Sequence, residues 1–179
     1  MHQVHGADVH VVAGDPRASG APDADALVSD RAGVALLARS ADCVPLLLVA
    51  EEGVVAAVHA GREGVRRGVV PAALARMRSL GAGRVRAWIG PHVCGRCYEV
   101  PAGMRDEVAA VVPATASTTR RGTPALDLGA GVRAQLDGSG VVEVVDLGRC
   151  TLEDDALHSH RRDGAAAGRL AGVVWRTAA

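Results

Sequence analysis

Lysine, asparagine and phenylalanine are absent from this sequence, and isoleucine occurs once, at Ile89. Aromatic residues are scarce: Trp88, Tyr98 and Trp175 are the only three in 179 residues. Core volume must therefore come from Val, Leu and Ala, and with 49% apolar residues the chain can build a core of that kind. We read the bias as that of a GC-rich coding sequence, not as a functional signal. No apolar run is long enough to span a bilayer. The start, "MHQVHGADVH", lacks the basic end and apolar region of a secretory signal, so a cytoplasmic protein is expected. A surplus of either charge is missing too, with 20 cations against 20 acids. That balance argues against a dedicated nucleic-acid or membrane-surface binder, which needs a basic field to capture phosphates. Every cation is arginine, whose planar fork suits phosphate or carboxylate, so a small anionic ligand stays in view. Cysteine is limited to four residues. In a cytoplasmic chain these read as thiols or metal ligands, not as a disulfide frame.

The length is that of one domain, taken as residues 1–179. Residues 9–12 predict a short strand that ends in the loop "AGDPRASGAPDADA", and residues 34–38 predict another. In "CVPLLLVAEEGVVAAVHAG", two apolar runs flank the turn "EEG", a β-hairpin signal. Both runs are apolar on both faces, so these strands should be central and covered on each side. From 63 to 80, Val65, Val69, Ala73, Met77 and Leu80 recur at helical spacing, with Arg66, Arg67 and Arg78 off the stripe. This predicts an amphipathic helix closed by Gly81, kinked or restarted by Pro71. "RVRAWIG" predicts a strand, "PHVCGRCYEV" a loop, 102–112 a helix and 113–124 a linker or surface loop. "LDLGAGVRAQL" reads as a poor helix because of its two glycines. "VVEVVDLG" predicts a strand, "SHRRDGAAAGR" a polar loop and "LAGVVWR" a closing strand. Without strict βαβ alternation, the mixture points to an α+β fold.

The hairpin turn puts Cys43 and His59 at the same open end, on strands about 4.8 Å apart. Asp42 stands beside Cys43. Thiolate and imidazole are the donors zinc prefers, and they are also the two halves of an activated-cysteine pair. Either residue alone would more often be structural, since free Cys packs well in cores. Their coincidence, followed by "AGREG" opening a helix, shifts the balance toward a site. Gly61 and Gly64 would let a ligand approach the backbone, and a helix N-terminus offers N–H groups to an anion. A third metal ligand is wanted, and "HQVHGADVH" offers His2, His5 and His10 without distinguishing them. Widely spaced ligands, three in number, form the catalytic zinc pattern with a position left open. "CGRC", Cys94 to Cys97, could be half a zinc knuckle or a redox dithiol, but no second pair accompanies it and Cys150 stands alone. A functional role there is rated below a structural one. Arg39, Arg62, Arg161 and Arg162 are the candidate anion-binding residues, the last two in "SHRRDG".

Several segments occur together and in order: "QVHG", "ADALVSD", "ADCVPLLLV", "VAAVHAGREG", "IGPHVCGRCYEV", "RCT" and "SHRRDGAAAGR". They resemble the YfiH-type family of purine nucleoside phosphorylases, once labelled laccase-domain or polyphenol oxidase. The similarity runs along essentially the whole chain. The resemblance implies a mixed α+β sandwich with flanking helices, likened to certain bacterial-toxin cysteine hydrolases. It implies that His5, Cys43 and His59 hold zinc, and so selects His5 from its neighbours. It implies phosphorolysis of adenosine, inosine, guanosine and methylthioadenosine, with adenosine deamination beside it; purine nucleosides and phosphate are the expected partners. Asp42 is expected to orient a ligand or carry a proton. Three departures stand out. Family members carry an N-terminal segment before "QVHG", and this chain begins two residues before that motif, so a truncated product or start site, or a shortened member, is expected. The usual "HAGWRG" is "HAGREG", which puts Arg62 in place of Trp and Glu63 in place of Arg. "SYRRDG" is "SHRRDG", which puts His160 in place of a Tyr.

Three rival readings are weighed. A copper oxidase of polyphenols wants many histidines, and this chain has seven, with only His158 and His160 in an HxH pair. A hydrolase would use Cys43 as nucleophile and His59 as base. A shortened fold could also serve as a non-catalytic binding partner.

Overall fold

The computed structural model describes residues 1–14 and 20–178. Residues 15–19, within the expected loop "AGDPRASGAPDADA", lie outside the described residues. The chain opens with β1 (Val9–Val11), β2 (Ala26–Ser29) and β3 (Ala35–Ser40). The expected hairpin follows as β4 (Val44–Ala50) and β5 (Val55–Ala60), antiparallel, with Val49 opposite Val55 across the turn. Two helices come next, α1 (Arg62–Arg67) and α2 (Val69–Ser79), then β6 (Val85–Ile89) and α3 (Ala102–Val111). The remainder is β7 (Ala116–Thr118), β8 (Pro124–Leu126), α4 (Leu128–Asp137), β9 (Glu143–Asp146), the single turn α5 (His160–Asp163) and β10 (Leu170–Trp175). No helix among the described residues is long and apolar enough to cross a membrane.

Six strands make one mixed sheet in the order β1-β2-β5-β4-β6-β9. Its four central strands are antiparallel, and the outer pairs β1-β2 and β6-β9 are parallel. Alternation along β4 and β5 sends side chains to two separate cores. Leu46, Leu48, Ala56 and Val58 meet Val65, Val69, Leu74 and Met77 of the helices. Ala57 and Val55 face the other way, with Leu47 and Val49, onto Leu36, Ala38 and Val174 of the antiparallel pair β3-β10. The result is an α+β sandwich in three layers: helices, main sheet, two-stranded ribbon. Both faces of the central hairpin are covered, as its doubly apolar sequence required.

Several expectations need correction. The helix expected over 63–80 is two helices, broken at Gly68, whose φ of 79° is left-handed. Gly68 N–H closes α1 on the carbonyls of Gly64 and Val65. Pro71 then falls in the first turn of α2, where its missing N–H costs nothing. The stretch 13–26, read as loop, ends by entering β2. The stretch 113–124, read as linker, carries a 3₁₀ turn and β7, anchored by Thr115, which is fully buried. The poor helix is a real one. Asp127 caps it by accepting from Ala130 N at 2.8 Å, and a side chain at Gly129 or Gly131 would strike His92 or Thr115. Within the polar loop near the C-terminus, Ser159 caps the short α5.

Candidate metal centre

The sheet brings three strand ends to one edge. Cys43 immediately precedes β4, His59 is the penultimate residue of β5, and Asp25 immediately precedes β2. Register does the rest: Pro45 lies opposite His59 on one side, and Ala26 lies opposite Val58 on the other. His59 N–H donates to the Asp25 carbonyl at 2.7 Å. The N-terminal loop folds over this edge and delivers His5. The ligand atoms of His5, Cys43 and His59 lie within 4.8 Å of one another, and the two imidazoles meet edge to face at 4.8 Å between centroids.

Asp25 organises the cluster and is completely buried. Its Oδ1 lies 2.8 Å from His59 Nδ1 and accepts His5 N–H at 3.0 Å. Its Oδ2 accepts the N–H groups of Gly6 at 2.6 Å and Val4 at 3.2 Å. One carboxylate therefore fixes both the ring of His59 and the loop that carries His5. With Nδ1 engaged, Nε2 is the His59 atom left for a metal, the carboxylate–histidine arrangement that orients metal-bound imidazoles. The sequence reading missed Asp25, which stands among Asp, Ala and Pro residues that look like loop. Its signal was "ALVS", a short apolar run directly after it.

The space is shaped for an ion. Gly61 has an ordinary φ of −79°, so its role is not backbone freedom. A Cβ there would come within 2.9 Å of His5 Cδ2, 3.3 Å of Cys43 Sγ and 3.5 Å of His59 Cε1. Electrostatics also suit a metal. Burial, then the charges of Asp42 and Asp25, pushes the Cys43 thiol up to about 11, with Arg169 pulling the other way. Burial holds His59 below the ordinary imidazole range, opposed by its hydrogen bond to Asp25. A neutral imidazole is the form that ligates, and a cation is what converts a buried thiol to a ligating thiolate.

The cluster sits in an open cleft of about 960 Å³. Asp42, Arg39, Arg62 and Arg161 line it, together with His2, Ser40, His160 and Arg169. Arg162 does not: its guanidinium is engaged by Asp163 and by the carbonyls of Thr151 and Leu157. Arg62 pairs with Glu63 at 2.7 Å, and Glu63 also holds Arg66. Arg161 lies over the Tyr98 ring, 4.6 Å from its centroid. Both carboxylate oxygens of Asp42 are occupied, one by the Thr151 hydroxyl and the other by Arg161 N–H, each at 2.7 Å. The Ser40 hydroxyl is buried and has no partner among the described residues. His2 lines the cleft but His10, paired within the sheet, does not. The helix expected to offer its N-terminus, α1, is six residues long, so the arginines carry the anion reading.

The sequence profile of a family described as multi-copper polyphenol oxidoreductase laccase matches residues 1–177. The chain belongs to this family. A purine nucleoside phosphorylase of Streptomyces coelicolor is 53% identical over 178 residues, 98% of this chain and 73% of the relative. A purine nucleoside phosphorylase of Mycobacterium tuberculosis is 50% identical over 179 residues, 98% of this chain and 70% of the relative. Among solved structures, YlmD from Geobacillus stearothermophilus superposes with a TM-score of 0.87 at 33% identity, covering 99% of this chain and 72% of that one. A Neisseria meningitidis family member gives 0.86 at 32%, covering 99% and 74%. The laccase-family label and the phosphorylase names of its members point to different chemistry, and the donor set bears on the choice. Among the described residues, two groups of three or more side chains could hold a metal ion, and neither is the histidine-rich assembly a multicopper centre needs.

Proposed function

We propose that this chain is a zinc-dependent purine nucleoside phosphorylase acting on adenosine, inosine, guanosine and methylthioadenosine, with adenosine deamination at the same site. The observation that carries this reading is the convergence of His5, Cys43 and His59 behind one buried carboxylate, in a cleft edged with arginine. The phosphorylase names of relatives at 50% identity and above support the substrate class. Zinc fits the donors, one sulfur and two imidazoles with a position left open. When bound there it would polarise an oxygen and supply hydroxide at neutral pH, as deamination requires.

The chain's own residues do the rest. Arg39, Arg161 and Arg169 pair with no carboxylate among the described residues, and they hold phosphate at the cleft rim. Ser40 offers its unpartnered hydroxyl to the bound nucleoside. Fixing phosphate against the anomeric carbon makes a bimolecular attack effectively unimolecular. Asp42, with both oxygens engaged, acts as a positioning residue: it holds Cys43 in place and ties the Thr151 and Arg161 loops to the cleft.

The test is release of free base from a nucleoside panel, with and without phosphate, for wild type and Cys43→Ala. Phosphate-dependent release, lost together with zinc in the variant, is expected. Turnover and zinc both retained in Cys43→Ala would overturn the assignment. One observation favours a second reading. Cys43, His59 and Asp25 line up as thiol, imidazole and carboxylate, the order of a cysteine hydrolase. Against it, such enzymes lower the thiol pKa, and here burial raises it. Activity that survives chelation but not thiol alkylation would favour the hydrolase.

A further inference from the structure

Outside this centre, a second cluster gathers three sulfurs and one carboxylate. Cys94 and Cys97 come from the loop after β6, and Cys150 and Glu153 from the loop after β9. Their ligand atoms all lie within 4.8 Å of one another. Zinc–sulfur bonds of about 2.3 Å arranged as a tetrahedron need ligand separations of ~3.7 Å, so closure asks for only a small contraction. We propose that Cys94, Cys97, Cys150 and Glu153 form a second, structural zinc site.

Local geometry supports a ligand site over a redox dithiol. The Cys94–Cys97 segment is a tight turn, with Cys97 N–H and Tyr98 N–H donating to the Cys94 carbonyl at 2.9 and 3.0 Å. It does not open a helix, as a thioredoxin-like pair would. A backbone N–H aims at sulfur: Cys94 N–H donates to Cys150 Sγ at 3.3 Å. Such a donor stabilises a thiolate. Cys97 Sγ lies 3.1 Å from Glu153 Oε1, so the carboxylate is part of the cluster and not a bystander. Four protein ligands close the coordination sphere, which marks a structural site. Binding releases three thiol protons and leaves two negative charges in excess. Arg120, paired with Glu153, and Arg96 stand nearby to balance them.

The consequence for the cleft is mechanical. Val93, next to Cys94, donates its N–H to the Asp42 carbonyl, and Thr151, next to Cys150, donates its hydroxyl to the Asp42 carboxylate. Tyr98, next to Cys97, lines the cleft beneath Arg161. An ion joining the two loops therefore fixes the wall against which Asp42 and Cys43 are set.

The experiment is zinc stoichiometry by elemental analysis of the full chain, purified without chelator. Cys97→Ser and Cys150→Ser should each lose one equivalent relative to wild type. A His5→Ala, Cys43→Ala, His59→Ala triple variant should keep that equivalent, which separates this site from the proposed reaction centre. Cobalt(II) in place of zinc should give a thiolate charge-transfer band in the triple variant and none when Cys97→Ser is added to it. Glu153→Gln, an exposed and conservative change, should weaken zinc retention against a chelator by more than the ~10–100-fold typical of outer partners. Unchanged metal content in the two serine variants would overturn the proposal. So would a disulfide among Cys94, Cys97 and Cys150 in protein isolated without reductant.

Discussion

Asp25→Asn is the sharpest probe of the centre, because it changes one atom and leaves shape intact. The native carboxylate accepts from four groups: His59 Nδ1, and the N–H groups of His5, Gly6 and Val4. An amide has one accepting oxygen and one donating nitrogen, so half of that set must fail. If the nitrogen takes the Oδ2 place, Gly6 and Val4 lose their acceptor and the loop carrying His5 loosens. If it takes the Oδ1 place, it opposes His5 N–H and forces His59 to protonate Nε2, removing the lone pair that faces the cluster. Each orphaned buried donor costs about 1–3 kcal/mol, so the metal-free protein should lose roughly 2–6 kcal/mol by the first route, which orphans two donors, and about 1–3 kcal/mol by the second, which orphans His5 N–H. Metal affinity should fall by at least the ~10–100-fold seen when a histidine loses its orienting carboxylate. Urea denaturation in excess chelator reads the first quantity, and zinc competition against a chromophoric chelator reads the second. Asp8→Asn is the control, since Asp8 is exposed and should shift stability by less than about 0.5 kcal/mol. If Asp25→Asn behaves like that control in both assays, Asp25 does not organise the centre.

Gly61→Ala should cost about 1–3 kcal/mol and abolish tight zinc binding, because the new Cβ enters the space between the three ligands; an unchanged zinc titration would refute the cradle. Glu63→Gln should release Arg62 and lower the KM for phosphate, while Arg62→Ala should raise it; steady-state phosphate titrations that move both variants in one direction would sink that reading. The pH dependence of the metal-free protein follows from Cys43. Its folded-state thiol is raised from 9.0 to about 11, so its contribution to stability is complete below pH 9 and is lost as pH rises toward 11. The stability difference between wild type and Cys43→Ser should therefore shrink by about 2 kcal/mol across that window in chelator, and a flat difference would refute the burial argument.

The central hairpin and the helical stripe were legible because both rest on local periodicity. The turn "EEG" between two apolar runs fixed a register that brought Cys43 and His59 to one end without any knowledge of the rest. Asp25 was not legible, because its partners are sequence-distant and β2 is only four residues long. The glycines of α4 misled for a related reason. Helix propensity counts their backbone freedom, but their small size is what lets α4 pack against His92 and Thr115. The pair Cys94–Cys97 looked isolated because its neighbours, Cys150 and Glu153, are reached only through the chain that follows the parallel pairing of β6 with β9.

Backbone strain points to the same place as the side chains. Among the described residues only His5 and Asp42 hold a positive φ without being glycine, at 59° and 86°. Such conformations cost of order 1–3 kcal/mol and persist only where the surroundings impose them. His5 is a candidate ligand, and Asp42 directly precedes another. Each is held by hydrogen bonds through a buried carboxylate: His5 N–H by Asp25, and Asp42 through its own oxygens to Thr151 and Arg161. Bonds to charged groups contribute about 1.5–3 kcal/mol apiece, enough to offset the strain. Here the strain falls on one candidate ligand and on the residue directly before another. The two acids therefore divide the work. Asp25 holds the His59 ring and the loop that carries His5, and Asp42 ties the Thr151 and Arg161 loops to the residue before Cys43.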